Sequence, residues 1–142
     1  MRARTIMVSA AAVVALGGCG TGSRMAAMQN VKPPAAGTPS GPADVSGIYR
    51  SAHLATLQLR SDGTITLIVP NGGGASDGRF TLQNGRIEVQ TTTCGQTDGS
   101  YDMAVTGAQK AGKATLVITG VNDACASRLR DLTRDPWVYA DS

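Results

Sequence analysis

The chain has 142 residues, with 13 Lys/Arg against 10 Asp/Glu, one His and a formal net charge of +3. That length holds one domain with one modest core. The basic excess is confined to the start, because Arg2, Arg4, Arg24 and Lys32 precede Asp44 and the rest carries nine basic against ten acidic residues. A near-neutral domain with one Phe, one Trp and three Tyr lacks both the phosphate-neutralising charge and the stacking surfaces of nucleic-acid binders, which excludes nucleic acid as a partner.

Arg2 and Arg4 form a basic opening, and Ile6 to Leu16 is an apolar run broken only by Ser9. About eleven residues is signal-peptide length and well short of the roughly 20 that a bilayer-spanning helix needs. The run closes on Leu16-Gly17-Gly18-Cys19, which resembles the lipobox of bacterial lipoproteins. The resemblance implies a leader over residues 1–18, cleavage before Cys19, and a thioether-linked diacylglycerol on the Cys19 sulfur. The mature chain is then expected on the extracytoplasmic face of the cell membrane. The physics agrees, since each buried methylene contributes ~0.8 kcal/mol and two acyl chains anchor stably where one does not.

The next stretch, through Lys32-Pro33-Pro34 to Pro39-Ser40-Gly41-Pro42, has no apolar period and favours extended, solvated backbone. Residues 19–43 therefore read as the lipidated Cys and a flexible tether, and residues 44–142 as the domain.

From Gly47-Ile48-Tyr49 onward, period-2 alternation recurs. Ala55, Leu57 and Leu59 alternate with polar residues, and so do Ile65, Leu67 and Val69, with Ser61-Asp62-Gly63 as the turn between. After Asn71-Gly72-Gly73-Gly74 the pattern resumes at Phe80 and Leu82. It turns at Asn84-Gly85, a preferred type I′ pair, and returns at Ile87 and Val89. Tyr101, Met103 and Val105, then Leu116 and Ile118, mark two further inward rows. A segment over Leu129–Tyr139 completes about eight strands, with at most a short helical turn around Arg128–Leu132. Consecutive hairpins leave two edges, and closure of the first strand on the last removes them. The expected fold is an all-β, antiparallel, up-and-down barrel.

Cys94, Gly99-Ser100-Tyr101, Leu116-Val117-Ile118, Asn122-Asp123-Ala124-Cys125 and Arg128, with Leu132-Thr133 and Trp137, resemble small secreted proteins of actinobacterial type with a lipocalin-like barrel. The resemblance implies that Gly47-Ile48-Tyr49 stands where lipocalins carry Gly-x-Trp, packed beside an Arg that would here be Arg128, Arg130 or Arg134.

Cys94 and Cys125 are the two cysteines outside the leader, and in an oxidising compartment their default is one disulfide. Closing a loop of about 32 residues would stabilise by roughly 3–4 kcal/mol on the chain-entropy model. His53 is the only His, too few ligands for a metal site. It shares the parity of Ala55, Leu57 and Leu59 and is expected at the barrel mouth, as a general base at most. No Gly-x-Ser-x-Gly elbow or paired carboxylates stand out, so no enzyme activity and no cofactor are expected. Asp123 beside Asn122 reads as a turn, and Arg128, Arg130 and Arg134, interleaved with Asp131 and Asp135, as a local ion-pair network. Two functions stay open. One is a barrel binding a small apolar or amphipathic ligand at a mouth lined by His53, Tyr49, Tyr101 and Met103. The other is a solid-cored envelope protein that contacts cell-wall material or another protein.

Overall fold

The computed structural model describes residues 33–107 and 114–140; the expected leader and Cys19 lie outside them. Eight antiparallel strands form a closed barrel in sequence order: β1 (Gly47–Arg50), β2 (Thr56–Leu59), β3 (Thr64–Val69), β4 (Gly74–Gln83), β5 (Arg86–Thr91), β6 (Asp98–Thr106), β7 (Thr115–Asp123) and β8 (Trp137–Tyr139). The short β8 closes it, pairing Val138 with Thr115 of β7 on one side and with Arg50 of β1 on the other. The expected all-β up-and-down barrel is the observed fold.

Alternation decides what faces in. Leu57, Leu59, Ile65, Leu67, Phe80 and Leu82 are buried, and Ile87, Val89, Met103, Val105, Leu116 and Ile118 continue one apolar cluster whose largest fully buried side chain is Trp137. Asn84 and Gly85 both take positive φ (48° and 78°), the backbone a type I′ hairpin demands. The terminal segment departs from expectation. Residues Ala126–Thr133 form a two-turn helix, α1, between β7 and β8, where at most a short helical turn around Arg128–Leu132 was expected within a terminal segment over Leu129–Tyr139. Leu132 is buried, Leu129 packs on the core, and the Trp137 indole donates to the Leu132 carbonyl at 3.0 Å.

The meander gives the barrel two ends. One end carries the β2–β3 and β4–β5 turns and the incoming N-terminal segment, the other the β1–β2, β3–β4 and β5–β6 connections and α1. At the first end some residues before Asp44, expected as tether, hydrogen-bond to the barrel. Gly37 and Val105 exchange both backbone hydrogen bonds at 2.9 Å, and the Pro39 carbonyl accepts from Gly85 N at 2.8 Å. The reason lies in strand lengths. β6 pairs with β5 as far as Asp102 and the Met103 N–H donates to the Gly85 carbonyl at 2.7 Å, so its edge is open only beyond Met103, and an extended Pro/Gly segment suits an open edge. This segment, residues 37–45 and hereafter the strap, ends in a 3-10 turn, Pro42–Val45, whose Val45 is fully buried. The Tyr49 hydroxyl donates to the Val45 carbonyl at 2.6 Å.

Candidate functional site

The inward rows change character towards the helix end. On β4 the row Leu82, Phe80 ends in Ser76, and on β5 the row Ile87, Val89 ends in Thr91, both buried hydroxyls. On β7 a bulge opposite Ser100/Tyr101 inserts one extra residue. One extra residue reverses the parity of everything after it. Leu116 and Ile118 point in, and beyond the bulge it is Asp123 that does, with a side chain 0% exposed.

Asp123 meets Arg128 from the first turn of α1, itself buried. Arg128 Nε donates to Asp123 Oδ2 at 2.7 Å and Nη2 to Oδ1 at 2.8 Å, while Nη1 donates to the Thr97 carbonyl at 2.8 Å. The Tyr101 hydroxyl also donates to Asp123 Oδ2, and Cys125 N to Oδ1 at 2.7 Å. Such a bidentate fork is the strong geometry for this pair. Every buried side-chain polar atom among the described residues has a partner, as a stable buried ion pair requires. Burial pushes the Asp123 carboxyl up, but the hydrogen bonds from Arg128, Tyr101 and Cys125 outweigh it and hold the group below the usual carboxylate range. The Arg128 guanidinium is held up by its bonds to Asp123. Burial and the Asp123 carboxylate push the Tyr101 phenol above its ordinary value. The pair needs Gly99 beside it, because a Cβ there would collide with the Asp123 carboxylate.

Cys94 and Cys125 form the expected disulfide, with Cα atoms 5.8 Å apart. It ties the β5–β6 connection to the residue that opens α1, so covalent bond and ion pair fasten the same helix. Between α1 and the β3–β4 turn lies a cavity of about 130 Å³. Its floor is Leu67 and Val69, and its walls include Ser76, Thr91, Thr93 and, from the helix, Ser127, Arg128 and Arg130.

The four residues expected at one mouth are not brought together. Tyr49 is 0% exposed at the strap end, stacked edge-on against Tyr139 with ring centroids 5.6 Å apart. Tyr101 is equally buried at the helix end, and Met103 lies in the core between them. Nor do Tyr49 and Arg128 pack as the lipocalin resemblance implies, since Arg128 is taken by Asp123, Thr97 and, weakly, Thr91. His53 lies in the β1–β2 turn, with half its side chain exposed; the turn interrupts the strand parity that suggested an inward ring. Its Nδ1 bonds to Asp135, and Arg134 Nη2 donates to Nε2 at 2.8 Å. Because a guanidinium only donates, Nε2 is the acceptor and Nδ1 carries the proton. The face of the ring that a general base would offer a nucleophile is thus occupied. The expected Arg/Asp network is real for Arg130–Asp131 at 2.9 Å and for Arg134 and Asp135 through His53. Arg128 belongs to the interior instead, and Asp123 caps an ion pair as well as a turn.

Sequence reasoning missed the polar layer formed by Ser76, Thr91, Asp123 and Arg128. Ser76 and Thr91 sit in parity with the apolar rows and could have been flagged on that ground; Asp123 could not, because only the bulge turns it in. Among the described residues no group of three His, Cys, Asp or Glu is placed to hold a metal ion. No protein-family model, curated protein or solved structure matches the chain.

Proposed function

We propose that this protein is a cell-envelope lipoprotein, anchored through Cys19 on the extracytoplasmic face of the membrane, whose solid-cored barrel serves as an interaction module. Support for the location comes from the Arg2/Arg4 opening, the short apolar run and the Leu16-Gly17-Gly18-Cys19 motif. The Cys94–Cys125 disulfide agrees, because such bonds persist in oxidising compartments outside the cytoplasm. The observation that carries the module reading is the filled interior: twenty buried hydrophobic residues form one cluster, and the residues expected to line a ligand mouth are core or turn residues. A barrel interior occupied by these side chains leaves no room for a lipid-sized ligand.

The strap gives the module a direction. It joins the body at Gly37, eighteen residues after Cys19, which bounds the reach from the lipid at roughly 60 Å of extended chain. It enters at the end opposite α1, so the helix end is the one presented away from the membrane.

Fractionation with intact-mass measurement tests the anchor. The mature chain is expected in the membrane fraction, beginning at Cys19 and carrying lipid, and Cys19→Ala is expected in the soluble fraction. A membrane-bound Cys19→Ala protein would overturn the assignment. Native mass spectrometry of protein extracted from its own membrane tests the solid core, and a lipid that stays bound to the barrel would reinstate the apolar-ligand function.

A further inference from the structure

Burying a hydroxyl or a charge is costly unless it is fully bonded, and in this barrel that cost is concentrated in one place. The described residues bury three polar or charged side chains outside the ion pair's carboxylate, Ser76, Thr91 and Arg128, and all three line the same cavity under α1. The rest of the interior is apolar. At about 130 Å³ the space approaches that of an engineered apolar cavity of about 150 Å³ that holds benzene, so it suits a ligand of about six heavy atoms.

We propose that this cavity binds a short-chain carboxylate. The lining favours acceptors over donors in its ligand. The Arg130 Nε is used by Asp131 at 2.9 Å, and its two terminal amino groups have no partner among the described residues. The Ser76 and Thr93 hydroxyls share one hydrogen bond at 2.7 Å, which leaves one of the two protons to donate elsewhere. Thr91, which accepts weakly from Arg128 and so keeps its own proton to donate, and Ser127, whose hydroxyl lies 3.4 Å from Cys125 Sγ, bring the hydroxyls in the lining to four. A carboxylate accepts from guanidinium and hydroxyl together, whereas an ammonium of the same size would face two guanidinium groups. Leu67 and Val69 supply the apolar floor for a tail of two to four carbons. Asp131 is the one carboxylate in the lining, and its Oδ1 is already held by Arg130. The site is independent of whether Cys19 carries lipid.

The test uses the full chain with its disulfide intact, titrated with butyrate, butylamine and 1-butanol and followed by backbone amide chemical shifts. Butyrate is expected to give saturable shifts centred on Ser76, Thr91, Thr93 and Ser127, at the millimolar affinity that about six heavy atoms allow. Butylamine is expected to give none. Arg130→Gln, at an exposed position, leaves the core untouched and is expected to weaken butyrate roughly tenfold. Ser127→Leu, which fills the cavity, is expected to abolish the shifts. Absent or scattered shifts with butyrate, equal binding of butylamine or 1-butanol, or an Arg130→Gln protein that binds butyrate normally would each overturn the proposal.

Discussion

The two ends of the barrel are closed by opposite means. At the strap end the seal is main chain and apolar: three backbone hydrogen bonds from Gly37 and Pro39, and Val45 pressed on the core beneath the Tyr49 hydroxyl. At the helix end it is side chain and covalent: the Arg128–Asp123 fork and the Cys94–Cys125 bond hold one short helix. An apolar seal gains from each contact separately and can peel open a few residues at a time. A buried ion pair offers no such gradation, because removing either partner strands a charge. The helix end is therefore the rigid, all-or-none part of the molecule, and it is also where the polar cavity sits.

The contrast can be broken most sharply at Arg128. Arg128→Met leaves Asp123 buried and unpaired and is expected to cost about 3–5 kcal/mol, read from urea unfolding midpoints. Next comes the disulfide. The Cys94→Ser/Cys125→Ser protein is expected to lose roughly 3–4 kcal/mol, and because the bond and the ion pair fasten the same helix, the combined variant should fall short of the sum. At the strap end Val45→Ala is expected to cost about 2 kcal/mol, the scale of a small buried truncation. His53→Ala, which loses a half-exposed ring bonded to the partly buried Asp135 and to the exposed Arg134, is expected to cost under about 1 kcal/mol.

Acid should separate the ends as well. Asp123 is held below the ordinary carboxylate range when folded, so its contribution is present above that range and is lost as pH falls through it. Unfolding midpoints measured at neutral pH and near pH 3 are expected to differ, and the difference should shrink in Asp123→Asn. The alkaline limb has the opposite sign. The buried Tyr49 and Tyr101 phenols are pushed above the ordinary tyrosine value, so stability persists below that value and falls as pH rises past it.

Sequence made the apolar part of this architecture legible and the polar part obscure, and each for a physical reason. Leu57, Ile65, Phe80, Ile87 and Met103 announce their strands because one wall of a barrel is wet and the other dry, and the edge problem then argues for closure. Helix α1 is hidden because one of its two fully buried positions is Arg128, so the apolar stripe that marks a helix is interrupted where the helix matters most. The strap is hidden because Pro and Gly report extended backbone without reporting a pairing partner; the partner is a length mismatch between β5 and β6. Asp123 is hidden by the bulge, since the parity of Leu116 and Ile118 would have turned Asn122 inward. The disulfide was legible from the count of two cysteines after Cys19 and the lipobox-like start of the sequence.

Native-state hydrogen exchange tests the difference between the ends most directly. The Val105 and Gly85 amides, bonded to the strap, and the Leu129 amide, bonded to the Cys125 carbonyl at 3.0 Å within α1, report the two seals in one experiment. Val105 and Gly85 are expected to exchange through a local opening well below the free energy of global unfolding, and Leu129 only with the whole domain. Leu129 exchanging first, with the strap amides protected to the global limit, would contradict the assignment of the helix end as the rigid one.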